Sequence, residues 1–562
     1  MPITFQRRCL LAMLLGILTG CTPYAGVVSV HPRWIPVNPP PGALAEVQRK
    51  IVQAAAHEAK SPLTALGEYL SAARIASDSL TKNPGDISVR NAYNFAVSRV
   101  ICELQKAKTD PWSQPLSVPA EGGDFLLTHT QDPRRLWDPS LYHFTPADQL
   151  ELKGSYITER KLKEGLGAPL VATGRESNRN AQQDFTLPKM YYGVTALIRF
   201  DNKRAVVSFE DPLATGQVTF NGRAFPLAAD YTASLAVMLA ESKPKKLELA
   251  RLLHPGKYAG TARIARLQPY DPDKTVVLVV HGLMDSPATW TPMINHLLAN
   301  GRIRDHYQFW YYSYPSGYPY PYSAAILRRE LDAVEKRYPL RNKMVVIGHS
   351  MGGCISRLLI TDTGDKLWNT LLRRPLEKPE MASESRSLLS DALVFRHRPE
   401  VGRVIFIAAP LRGADMAGGW MGRVGSRLVK APESLTKAGN DLLQWAVFHA
   451  GDLQIHGLPN SVDTLAPNNR FVKAVQDLPL TPGIPYHVIS GDRGKGGNTT
   501  RIPPCRSDGL VPYWSSHLDG AASELVVPCN HSAHQHPQTI QEVERILTLH
   551  QASPVSSPKT HP

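Results

Sequence analysis

Hydrophobic positions along this chain follow two periods, and the changes between them mark its organisation. In the second half, short unbroken apolar runs recur at Thr275 to Val280, Met344 to Ile347, Val404 to Ile407, Tyr486 to Ser490 and Leu525 to Val527. Runs of this kind, without polar alternation, predict strands buried on both faces, as in a parallel sheet. After Ile347 the period changes: Cys354, Ile355, Leu358, Leu359 and Ile360 return at helical spacing, which predicts a strand, a tight turn and a helix in succession.

The first half reads differently. Ser61-Pro62 makes a helix start, Leu63, Leu66 and Leu70 repeat along one face, and Asn83-Pro84-Gly85 breaks the pattern before a second helix to about Lys106. With fewer than the roughly three repeats that a helical array needs, this region is expected to be a packed helical cap. From Asp124 the pattern turns to strands. Val194–Phe200 with Ala205–Phe209, and Gln217–Phe220 with Arg223–Leu227 across Asn221-Gly222, read as hairpins of a small β module. A helix over Ala233–Leu253 is expected to lead into the second half. The expected organisation is a leader over 1–20, a proline-rich tether over 21–42, a helical region over 43–110, a β-rich module over 111–265, a catalytic domain over 266–550 and a Ser- and Pro-rich tail over 551–562.

Candidate chemistry sits where the apolar runs end. Met344–Ile347 runs into Gly348-x-Ser350-x-Gly352, which offers a serine hydroxyl on a sharp turn where a base can activate it. Thr275–Val280 runs into His281-Gly282-Leu283-Met284-Asp285-Ser286, a loop suited to aiming backbone N–H groups at a developing oxyanion. Leu283 and Met351 are the expected donors, and His281 is expected to be structural. Downstream stand two candidate acids, Asp492 and Asp508, and three histidines, His531, His534 and His536.

These motifs together resemble the α/β-hydrolases of the bacterial lipase and esterase type. The resemblance implies an α/β fold, a doubly wound and mostly parallel sheet with helical lid insertions, preceded here by the helical and β accessory region. It also implies the triad order serine, acid, histidine. Ser350, Asp508 and His531 are the favoured set, with Asp508 in S-D-G-L-V-P and His531 in N-H-S. Asp492 and His534 stay open as alternatives. Pro410-Leu411-Arg412-Gly413 is similar to a turn common in lipases, and Thr361–Arg403 and Ala414–Leu480 are read as lid or packing helices. The aromatic run from Phe309 to Tyr322 is read as core residues mixed with a loop near the pocket. No metal or other cofactor is expected, because H-x-x-H-x-H lacks the H-E-x-x-H helix or paired C-x-x-C of familiar zinc sites.

The leader changes the picture of where this happens. Arg7 and Arg8, then the apolar stretch Cys9–Leu18, have the shape of a secretory signal, and Leu18-Thr19-Gly20-Cys21 resembles a bacterial lipobox. That implies acyl chains on Cys21 and anchoring without spanning, and Thr22 resembles lipoproteins sorted to the outer membrane of a Gram-negative cell. An oxidising compartment permits a Cys505–Cys529 disulfide between the acid and base loops, while Cys354 is expected to be a buried small residue. The chain of 562 residues carries 63 Lys and Arg against 49 Asp and Glu, a net +14 that suits anionic headgroups. The charges are dispersed and no nucleic-acid motif appears, so an ester or lipid substrate is favoured over a nucleic-acid partner. An acyltransferase using the same triad and an inert envelope interaction protein are the other readings.

Overall fold

The structure, a computed structural model, describes residues 23–109, 111–130, 137–175, 180–242, 244–372, 383–414, 461–494 and 506–552. It divides into two compact units: Met1–Thr173 with Gly193–Pro212 and Gln217–Lys243, and Gly174–Tyr192 with Leu213–Gly216 and Pro244–Pro562. The leader, Cys21 and most of the second expected insertion lie outside the described residues. Among those described, no helix is long and apolar enough to cross a membrane.

In the first unit, α1 (Leu44–His57), α2 (Pro62–Lys82) and α3 (Ile87–Lys106) pack on one another. Pro62 occupies the first turn of α2, where its missing N–H costs nothing, and Asp86 caps α3 by accepting from Val89 N. Leu66 and Leu70 are buried, but Leu63 at the helix start is exposed. A six-stranded sheet completes the unit, with Tyr191–Asp201 and Arg204–Glu210 as its central antiparallel hairpin. The Tyr93 hydroxyl ties α3 to this sheet, donating to Ile198 O at 2.8 Å and accepting from Ile198 N at 2.9 Å. The second hairpin forms as well, with Asn221 and Gly222 both at positive φ, as a two-residue turn demands.

The second unit is built on seven strands: β1 (Arg263–Arg266), β2 (Thr275–Val280), β3 (Tyr307–Ser313), β4 (Met344–His349), β5 (Val401–Ile407), β6 (Tyr486–Gly491) and β7 (Ser523–Val527). Their order across the sheet is β1-β3-β2-β4-β5-β6-β7, and only β1 is antiparallel to its neighbour. The aromatic run mixes core and loop as expected: Tyr307, Phe309, Trp310, Tyr311 and Tyr312 are buried in strand β3, residues 314–319 form a loop, and a helix opens at Tyr320. Large β-propensity side chains suit a strand covered on both faces. The expected helix over Ala233–Leu253 is two helices, Ala233–Ser242 and Lys245–Leu253, because Pro244 cannot continue the first. The second unit also recruits residues from inside the expected β module: Phe185 is buried in its core, and Arg266 N donates to Phe185 O at 2.8 Å.

Candidate active site

β4 delivers the serine. Its six residues are buried, and the chain turns at Ser350 into α4 (Met351–Arg357). Ser350 has φ 54 and ψ −125, a conformation that costs a non-glycine residue about 1–3 kcal/mol and persists only under surrounding constraint. Two constraints are visible: Ser350 N donates to Ile407 O at 2.9 Å, and Gly353 N donates to Ser350 O at 2.9 Å. The flanking glycines are steric requirements. A Cβ at Gly352 would lie 2.2 Å from Val280 O, and one at Gly348 would lie 2.5 Å from Gly352 O.

His531 Nε2 lies 2.8 Å from Ser350 Oγ, and His531 Nδ1 lies 2.7 Å from Asp508 Oδ2. The other oxygen, Asp508 Oδ1, accepts from Leu510 N and Val511 N at 2.7 Å each. Burial opposes the Asp508 charge, but His531 and these two amides outweigh it and hold the carboxyl below its usual range. An ionised carboxylate can only accept, so Nδ1 carries the proton and Nε2 is left to accept from the Ser350 hydroxyl. Ser350 and Asp508 are 5% and 3% exposed.

The alternatives are placed elsewhere. Asp492 is a turn residue whose Oδ1 accepts from Gly494 N at 2.9 Å. His534 is buried against Trp290 and His349, at ring distances of 5.1 and 3.9 Å. His281 is structural: its ring stacks on Tyr314 at 4.3 Å, Nε2 accepts from Tyr314 N and Nδ1 donates to Gly282 O. Burial pushes its pKa down to about 4, which keeps the imidazole neutral.

The loop after β2 passes directly over the elbow. A Cβ on Gly282 would lie 2.9 Å from Ser350 Cβ, so only glycine permits this approach. Met351 opens α4, where first-turn N–H groups have no intrahelical acceptor, and Leu283 stands in the loop beside Gly282. Asp285 braces this loop by accepting from Gly282 N and Ser286 N, and Ser286 Oγ donates to the buried Glu248. Asp285 and Glu248 have no motif of their own and were missed as supporting residues. Arg412 joins the Pro410–Gly413 turn to the acid segment by donating to Trp514 O and His517 O at 2.8 and 2.9 Å.

The cysteines depart from expectation in one respect. Cys354 is buried as expected, and burial pushes its thiol up to about 12. Cys529 is a free thiol, half-buried and pushed up to about 11, so the expected Cys505–Cys529 staple is not formed; Cys505 itself lies outside the described residues.

A serine on a strained strand-to-helix turn, an acid and a histidine after later strands, and this sheet order define the α/β-hydrolase class. Residues 276–542 match the family model described as the alpha/beta hydrolase family. Similar solved structures include the Bacillus licheniformis lipase BlEst2 in mature form, at 15% identity over 50% of this chain and 97% of that one, TM-score 0.31. A Staphylococcus hyicus lipase is similar at 14% identity over 50% and 97% of the two chains, TM-score 0.30. No curated protein matches the sequence.

Proposed function

We propose that this protein is a serine hydrolase of carboxylic esters, with lipids as the favoured substrates, held at the cell envelope by acyl chains on Cys21. The observation that carries the catalytic part is the hydrogen-bonded chain Ser350–His531–Asp508 on a strained elbow. In this reading Ser350 Oγ attacks the ester carbonyl as His531 Nε2 takes its proton. The proton then passes to the leaving alcohol oxygen as the C–O bond breaks, leaving an acyl-serine. Water, deprotonated by the same nitrogen, attacks the acyl-serine and releases the acid, and the proton returns to Ser350. Asp508 fixes the His531 tautomer and stabilises its charge. The amides of Leu283 and Met351 are assigned to the oxyanion, each such donor supplying about 3–4 kcal/mol.

The envelope part rests on Arg7, Arg8, the apolar Cys9–Leu18 and the lipobox-like Leu18–Cys21. The test of the enzyme is hydrolysis of short- and long-chain p-nitrophenyl esters. Turnover that disappears in Ser350→Ala supports it, with the chain-length profile separating esterase from lipase. Equal rates in both proteins would refute it. The anchor is tested by metabolic labelling with an alkynyl fatty acid, which Cys21→Ser should abolish.

A further inference from the structure

Beside the triad lies a second constellation that ester hydrolysis does not use. Asp285, His349 and His534 are 8%, 5% and 2% exposed, and each places a ligand-type atom within 4.8 Å of the other two. His349 Nε2 lies 2.8 Å from His531 O, and since a carbonyl can only accept, Nε2 carries the proton. In the neutral ring Nδ1 is then a bare lone pair. It has no hydrogen-bond partner and faces Asp285 Oδ2 at 3.5 Å, two acceptors turned toward each other in a buried site. His534 Nδ1, equally buried, has no partner either.

The geometry points to a divalent-metal site of the zinc class formed by Asp285, His349 and His534. The 3.5 Å between His349 Nδ1 and Asp285 Oδ2 is too long for a hydrogen bond. It matches the separation of two ligands on a tetrahedral ion with bonds of about 2.0–2.1 Å, roughly 3.3–3.5 Å. A metal-bound histidine normally donates its other N–H to a carbonyl or carboxylate, and His349 already does so to His531 O. Two imidazoles and one carboxylate suit zinc better than the all-oxygen shells of calcium or magnesium.

The consequence is positional. Asp285 lies on the loop assigned to the oxyanion, His349 immediately precedes Ser350, and His534 follows His531 on the base loop. One ion would tie the oxyanion loop, the end of β4 and the base loop together without touching the reacting atoms. This inference does not rest on the ester-hydrolase reading, because its test counts metal rather than turnover.

The full chain, incubated with excess zinc and exhaustively dialysed, is assayed for bound metal by mass spectrometry and for thermal unfolding with and without a chelator. Ser350→Ala, Asp285→Asn and His534→Gln are carried in parallel. About one zinc per chain is expected in wild type and Ser350→Ala, lost in the other two, with a melting temperature that the chelator lowers only in the zinc-holding proteins. Wild-type zinc no higher than in the site variants would overturn the inference and leave a protonated His349–Asp285 pair or a buried water in its place. Should both site variants fail to fold, the wild type's own content decides, one zinc supporting the site and none refuting it.

Discussion

Both oxygens of Asp508 are committed, Oδ1 to two backbone amides and Oδ2 to His531, and this is what makes its side chain hard to replace. Asp508→Asn keeps the shape but places an NH2 among these donors, and an amide oxygen turned to the backbone leaves the NH2 facing His531 Nδ1. The histidine then holds the wrong tautomer, and kcat for ester hydrolysis is expected to fall about 10⁴-fold with little change in KM. The pH dependence has a definite sign. The folded Asp508 pKa lies below its ordinary value, so the ionised form stabilises the fold above the unfolded pKa of about 3.9. That stability is lost as pH falls through the folded value. The melting-temperature difference between wild type and Asp508→Asn should therefore shrink from about pH 6 to about pH 3, and a constant difference would count against an ionised Asp508 in the fold. Ser350 and His531 were legible because each follows an apolar run inside a recognisable motif, whereas Asp508 was favoured only through its S-D-G-L-V-P segment, since Asp492 lies nearer the strand that precedes both. Asp285, His349 and His534 were not legible as a group, since a search for metal spacing looks within one loop and these side chains come from three separate segments of the chain.

At the scale of the element, the elbow is the strained part of the fold and its glycines are the most sensitive positions. Gly352→Ala would drive a Cβ into Val280 O on the neighbouring strand, at 2.2 Å, where backbone rather than a flexible side chain must move. A cost of more than about 2 kcal/mol is expected, read as a drop in denaturant midpoint, together with loss of reaction at Ser350. The strand-turn-helix was readable because buried strand and helix differ in period. The aromatic run was legible as core mixed with loop, but the end of β3 at Ser313 was not, because tyrosines and tryptophan carry polar atoms that can face either setting until their partners are known. Tyr312, for instance, donates to Ser323 O at 2.8 Å while fully buried. Pro244 was visible in the sequence, but the apolar pattern on either side of it masked the break.

At the scale of the whole molecule, the two units are interleaved along the chain, which sequence reading rendered as consecutive domains. Gly174–Tyr192 and Leu213–Gly216 complete the second unit although they lie well before its main body. Phe185 is buried in its core, its ring 6.1 Å from that of Tyr338, and Lys274 Nζ donates to Leu213 O. A truncated chain beginning at Pro244 should therefore unfold at a lower temperature than the hydrolase unit of the full chain. Equal melting temperatures would show that the recruited segments add nothing. Composition could not have revealed this interleaving, because the recruited pieces are short and resemble the loops around them.

The central claim is that Ser350 is an activated nucleophile, and intact-protein mass spectrometry after exposure to a fluorophosphonate tests it most directly. The account predicts one adduct, mapped to Ser350 and absent from both Ser350→Ala and the acid-unfolded protein. No adduct on the folded wild type, or one mapped to another residue, would contradict it.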